Sequence, residues 1–287
     1  MTGLKTIIAA IDLERGTNAV LSRAFLLAKA AGARLIVLHV IETPDHWPGA
    51  GEYDPAGHIR REAQAAIETV LDGRDRPRDT EIELCFGRSH ASIARIAAER
   101  DASLILIGPG NARTLREKIL GSTADRVLRT ARVPVLIVRK AASKPYGSMV
   151  VATDFSDPSK RAVAAAVRLA PEARLQLVHV IETPLTFQQA MMRAGTSQAE
   201  IDRYEAATAE KAADNAAEFA RSLPACENAQ VRILRGDAAS ALIRMSRSAS
   251  VDLIAMGPHG RGAVHDAILG SVTQKVVARA ACEVLVA

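Results

Sequence analysis

Arg34-Leu-Ile-Val-Leu-His-Val-Ile-Glu-Thr-Pro44 recurs as Arg174-Leu-Gln-Leu-Val-His-Val-Ile-Glu-Thr-Pro184. Further along each copy, Gly108-Pro109-Gly110-Asn111 with Leu120-Gly121-Ser122 is matched by Gly257-Pro258-His259-Gly260 with Leu269-Gly270-Ser271. The spacing is far longer than a solenoid unit of about 20–50 residues and is that of a whole domain. The chain therefore reads as one fold written twice.

Its 287 residues suffice for two cores of ordinary size. Hydrophobic residues make up 48% and aromatic residues only 3%, so the cores must be built from Ala, Val, Ile and Leu. That composition suits parallel strands covered by Ala-rich helices. The formal net charge of +5 is scattered over both copies with no basic patch or matching motif, which argues against nucleic acid as a partner. Cys85, Cys226 and Cys282 are far apart and form no metal or disulfide pattern. Cys85 and Cys282, in strand-like runs, are expected to be small buried hydrophobes. No apolar run approaches about 18 residues, and Met1 leads straight into a strand. The expectation is a cytoplasmic protein with no membrane span.

From 5–12 onward the first copy alternates strand and helix. Strands are expected at 5–12, Arg34–Val40, Glu81–Phe86, Ser103–Ile107 and Val133–Val138. Helices are expected at 17–31, His58–Leu71, Ala91–Arg100 and Ser122–Ala131. A loop rich in Pro, Gly and Asp runs from Pro44 to Gly57. The second copy repeats the order. Its strands lie near 148–153, 173–180, 230–235, 251–256 and 282–287, and its helices near 158–170, 198–222, 239–248 and 271–280. Asp157-Pro158 reads as a helix start with an N-cap carboxylate, and the extra segment Phe187–Thr196 as a cover for the site or a partner contact. The alternation implies α/β architecture: two tandem doubly wound domains, each with a five-stranded parallel sheet of order 3-2-1-4-5 flanked by helices. Residues 1–140 and 147–287 are the expected domains, joined by the polar stretch Lys140–Gly147.

The glycine segments follow the fourth strand of each copy, where open α/β sheets bind ligands. Gly257 and Gly260 suggest close backbone approach and positive φ. Gly270-Ser271 then opens a helix whose unpaired amides and dipole favour an anion. Three glycines and a serine at G-x2-G-x9-G-S spacing thus offer a polyphosphate cradle. Asp12 and Asp154 end the first strand of each copy, beside the glycine loop across the switch point. A carboxylate there can accept from a ribose, or simply cap a turn. His39 and His179 occupy matched positions late in the second strand, where packing against a helix is the expected role. His259 and His265 lie near the loop and could face phosphate. No nucleophile–base set, paired carboxylates, metal-ligand spacing or Walker A sequence is evident.

Val151-Ala-Thr-Asp-Phe-Ser156, Val178-His-Val-Ile181, Gly257-Pro-His-Gly260 with Gly270-Ser-Val272, and Val284-Leu-Val286 together resemble the universal stress protein family, over nearly the whole chain. The glycine pattern is similar to that of the family's ATP-binding branch. The resemblance implies ATP, alone or with magnesium, as the ligand. In the second copy it places Asp154 at the ribose, the Val180 backbone at the adenine, and Gly257, Gly260, Gly270, Ser271 and Val272 along the phosphates. The matching positions of the first copy are Asp12, Val40, Gly108, Asn111, Gly121, Ser122 and Thr123. Asn111 stands where the pattern has glycine, so this copy is the degenerate one. The family also implies pairing of domains through their last strands, here an intramolecular pseudo-dimer, and leaves a homodimer open.

Three functions fit this reading: a nucleotide-binding stress-response regulator, an ATP-hydrolysing or nucleotidyl-transferring enzyme on the same scaffold, and an interaction protein with vestigial pockets. The intact glycine set favours the first over the third. The lack of a recognisable base or metal cluster weighs against the second.

Overall fold

The computed structural model describes residues 3–14, 16–43, 55–110, 120–183, 185–227, 229–260 and 269–287. Its contacts divide the chain at Pro145/Tyr146 into two units. Unit 1 runs β1 (Thr6–Ile11), α1 (Thr17–Ala31), β2 (Arg34–Ile41), α2 (Pro55–Leu71), β3 (Thr80–Phe86), α3 (Ser89–Glu99), β4 (Leu104–Ile107), α4 (Ser122–Thr130) and β5 (Val135–Ile137). Unit 2 runs β6 (Ser148–Ala152), α5 (Asp157–Leu169), β7 (Arg174–Ile181), α6 (Leu185–Arg193), α7 (Gln198–Arg221), β8 (Gln230–Arg235), α8 (Ala238–Met245), β9 (Leu253–Met256), α9 (Ser271–Arg279) and β10 (Glu283–Val286).

The strand order is β3-β2-β1-β4-β5 in unit 1 and β8-β7-β6-β9-β10 in unit 2. This is the expected doubly wound order in both. The central strands pair in parallel, with Ile11 opposite His39 and Ala152 opposite Val178. These strands are buried on both faces and so read as unbroken Ile, Val, Leu and Ala runs. Ile7, Ile8, Leu35, Ile36, Leu104 and Leu106 are sealed from solvent in unit 1. Met149, Val150, Val151, Leu253, Ile254 and Leu285 do the same in unit 2. Right-handed crossovers place the helices that follow the first two strands on one face and those that follow the next two on the other. The switch between the two directions of winding opens a crevice at the carboxyl ends of β1 and β4, and of β6 and β9.

Several local features depart from expectation. Ser156, not Asp157, caps α5, because its oxygen accepts from the Ser159 amide while Asp157 already sits inside the first turn and pairs with Lys160. The extra segment, to which no element was assigned, is largely helical, as α6, and Phe187 of α6 packs on Tyr204 of α7 with ring centroids 5.6 Å apart. Cys85 is only half-buried, whereas Cys226 and Cys282 are buried. Burial pushes the Cys226 thiol up to about 11. The connecting stretch is fastened down. Ala142 donates its amide to Ser22 Oγ at 2.9 Å, Arg23 donates to the Lys144 carbonyl at 3.1 Å, and Tyr146 is buried.

Helix starts in unit 2 carry exposed carboxylates that titrate low. The Ser197 amide and hydroxyl hold Glu200 below its ordinary 4.5, and Ser240 holds Asp237 below 3.8. A carboxylate depressed in the folded state contributes its stability above the unfolded value and loses it as pH falls through the folded one. The first turns of α7 and α8 are therefore expected to fray below those values. Amide exchange at 198–201 that accelerates on acidification in the parent chain, but is already fast at neutral pH in Glu200→Gln, would establish this. Exchange that does not change with pH would contradict it.

Candidate functional site

The crevice of unit 2 is a cavity of about 530 Å³. Its lining includes Asp154, Val180, Gly257, Gly260, Gly270, Ser271 and Val272, so every residue that the family resemblance assigns to the ligand in the second copy comes together there. The crevice of unit 1 measures about 760 Å³ and brings together Asp12, Val40, Gly108, Gly121, Ser122 and Thr123. Asn111 and His265 lie outside the described residues.

The glycines are required by space rather than by φ. Gly257 and Gly260 are free to take positive φ, but neither does. A Cβ on Gly257 would strike Pro158 Cβ at 2.8 Å, so this glycine lets the loop pack on the start of α5. A Cβ on Gly260 would come within 2.9 Å of Asp154 Oδ2, so this glycine keeps the space in front of the carboxylate open. Gly270 and Gly121 adopt the same N-cap geometry, φ −62° and ψ 149°, and each donates its amide at 2.8 Å to the proline carbonyl of its loop. No side chain caps α9 or α4. Their first-turn amides are thus left to whatever fills the crevice. In unit 2 the loop is further pinned by Thr273, whose hydroxyl donates to the Gly257 carbonyl at 2.9 Å. Unit 1 has Ala124 in the matching place.

Each aspartate does two jobs. Asp154 Oδ1 accepts from the Ser156 amide at 3.1 Å, from Ser159 Oγ at 2.7 Å and from the Ser156 hydroxyl. Asp12 Oδ1 accepts from the Glu14 amide at 2.9 Å and Thr17 Oγ1 at 3.2 Å. One oxygen therefore organises the turn into the following helix. In unit 2 the other faces Gly260. The residue after each aspartate is left-handed without being glycine: Leu13 at φ 62° and Phe155 at φ 65°. Such strain persists only where the surroundings hold it. Ser159 is buried and also accepts from the Asp154 amide. Ser159→Ala is expected to cost about 1.5 kcal/mol, the range for hydrogen bonds to a charged group, and to weaken ligand binding by loosening Asp154. Urea denaturation and calorimetry on one preparation measure both. Unchanged stability would contradict the bonding described.

Sequence reasoning placed His39 and His179 against helices. Instead both line the crevices, with Nδ1 2.9 Å from the Ile11 carbonyl and 2.8 Å from the Thr153 carbonyl. A carbonyl only accepts, so Nδ1 carries the proton and Nε2 is the acceptor of the neutral ring. Phe155 lies on the His179 ring, centroids 4.4 Å apart. Its αL turn and the Ser159 bond have no signature in a single sequence. The matched histidines were the available signal.

The two crevices differ in charge. Glu14 and Glu42 join Asp12 around the unit 1 cavity, and Glu42 Oε1 accepts from the Ser89 hydroxyl at 2.8 Å. In unit 2, Ala238 stands at the position of Ser89, and Asp154 is the one carboxylate among the described lining residues. The loops differ as well. Gly110 has φ 84°, and a Cβ there would lie 2.7 Å from Gly121 Cα. Gly110 is thus occupied in packing on Gly121, and does not take the place that Gly260 has before Asp154.

Two parallel α/β units with matched glycine crevices define a tandem-duplicated, doubly wound α/β protein. The family model for the universal stress protein family matches residues 3–139 and again 145–287, and the chain belongs to that family. A universal stress protein of Thermus aquaticus is 35% identical over 49% of this chain and 97% of its own length. One from Mycobacterium tuberculosis H37Rv is 26% identical over 88% of this chain and 86% of its own. A solved universal stress protein from Archaeoglobus fulgidus shares the fold, with a TM-score of 0.63 at 21% identity over 98% of this chain and 95% of that one. Another solved universal stress protein, in complex with cAMP, is 25% identical over 47% of this chain and 97% of its own, with a TM-score of 0.34. Among the described residues no helix is long and apolar enough to cross a membrane, and no group of three or more His, Cys, Asp and Glu side chains could hold a metal ion.

Proposed function

We propose that the chain is a nucleotide-responsive regulator whose unit 2 binds an adenine nucleotide, ATP alone or with magnesium on its phosphates. Asp154 accepts from the ribose, the Val180 backbone meets the base, and the phosphates lie between Gly257–Gly260 and Gly270–Val272. The observation that carries this reading is the close approach of Gly260 to Asp154, where a single added carbon would lie 2.9 Å from Asp154 Oδ2. The uncapped α9 amides beside it supply the anion-binding end.

Unit 1 takes the same ligand more weakly. Gly110 is committed to Gly121, and Glu14 and Glu42 stand on the cavity wall, where their charge opposes a polyphosphate.

The second reading is an enzyme that hydrolyses the bound nucleotide. Asp154 Oδ1 is already engaged by three donors, which suits holding a ligand more than cycling a proton. Purified protein should release an adenine nucleotide on denaturation, identified by its mass, and should turn over Mg·ATP negligibly. Sustained multiple turnover would establish the enzyme reading instead.

A further inference from the structure

A second cavity in unit 2, about 320 Å³, opens beside the first. Its walls include Phe155, His179, Glu182, Thr208, Lys211 and Asn215. The principal crevice is lined from α8 and α9, whereas this one is lined from α7, which right-handed winding places on the other face of the sheet. Thr208, Lys211 and Asn215 recur at helical spacing and so present one face of α7 to the end of β7. Phe155, turned by its left-handed backbone onto His179, gives the cavity an aromatic surface.

Its charges are informative. Lys211 and Glu182 line the same cavity, and among the described residues no ion pair joins them. The nearby cation of β8, Arg235, is held by Glu205 at 2.7 Å. Thr208 spends its proton on the Tyr204 carbonyl at 2.8 Å, so its oxygen is left to accept. One anion acceptor site, one cation site and an apolar surface share a space near the lower size for a small-molecule pocket.

We propose that this is a binding site for a free amino acid. Its carboxylate meets Lys211, its ammonium meets Glu182 and Thr208, and its side chain lies on Phe155. Charge-assisted hydrogen bonds at both ends require both charges on the ligand. The cavity shares His179 and Val180 with the principal crevice, but neither Lys211 nor Glu182 lines that crevice, so substitutions at these two separate the proposal from the nucleotide reading.

The test is calorimetry on the full chain with L-phenylalanine, phenethylamine and 3-phenylpropanoate. Phenylalanine should bind, and each analogue lacking one charge should bind at least about tenfold more weakly. Lys211→Met and Glu182→Gln should each weaken phenylalanine by a similar factor, while ATP affinity remains that of the parent. Three outcomes would overturn the proposal: no heat with phenylalanine or any of the other common L-amino acids, binding indifferent to both substitutions, or loss of ATP affinity in parallel with them.

Discussion

Gly260→Val is expected to lower the affinity of unit 2 for ATP by about a hundredfold, roughly 2.7 kcal/mol, with little change in thermal midpoint. The two expectations separate because of where the new side chain goes. The backbone of Gly260 is not in the left-handed region, so valine is not excluded by φ. Its Cβ would come within 2.9 Å of Asp154 Oδ2, the end of a side chain, and, among the described residues, within 4 Å of no backbone atom outside its immediate neighbours. The loop can thus accept the methyl groups by filling the crevice, and the ligand is what loses the space. Gly257→Val should behave differently. There the added carbon meets Pro158 Cβ at 2.8 Å and the Pro158 carbonyl carbon at 3.2 Å, so the fold itself must give way. Calorimetry with a melting curve for both variants distinguishes the cases. Normal ATP affinity in Gly260→Val would place the phosphates elsewhere.

Tyr146→Phe is expected to destabilise unit 2 by about 2 kcal/mol, the range for a hydrogen bond to a charged group. Glu283 is 5% exposed in β10, and Tyr146, also 5% exposed, donates its hydroxyl to that carboxylate. Removing the donor leaves a buried carboxylate with one partner fewer, whereas removing both polar groups removes the demand. The double variant Tyr146→Phe/Glu283→Leu should therefore recover part of the loss. Urea denaturation of the two single variants and the double gives the coupling directly. Additive losses would mean that the two side chains do not act as a pair.

Most of the fold was legible because the chain repeats itself. A run such as Leu35–Leu38 is ambiguous alone, but its recurrence at Leu175–Val178, each time before a helix, resolves it as a buried parallel strand. The site positions were legible for the same reason, since the aspartates, histidines and glycine segments recur in the same order on matching elements of both copies. What escaped lies where side chains decide. Ser156 outcompeted Asp157 for the cap because an N-cap residue must precede the helical turn, and Asp157 pairs with Lys160 instead. The segment around Phe187 has polar residues and Gly195, and no helix was assigned to it. Contact of Phe187 with Tyr204 gives that helix a packed partner, and no alternation in the sequence announces such a partner. Gly110 is adjacent to the position 111 where the pattern has glycine. Its packing against Gly121 is a three-dimensional commitment that spacing alone does not reveal. Phe155 at positive φ runs against the ordinary preference of its residue type.

The central claim is that one crevice, that of unit 2, is the strong nucleotide site. Calorimetric titration of the purified chain, stripped of bound nucleotide, with a non-hydrolysable ATP analogue tests it most directly. The account expects about one strong site per chain, abolished in Gly260→Val and retained in Asp12→Ala. No strong site, two equal sites, or a strong site lost on Asp12→Ala and kept in Gly260→Val would contradict it.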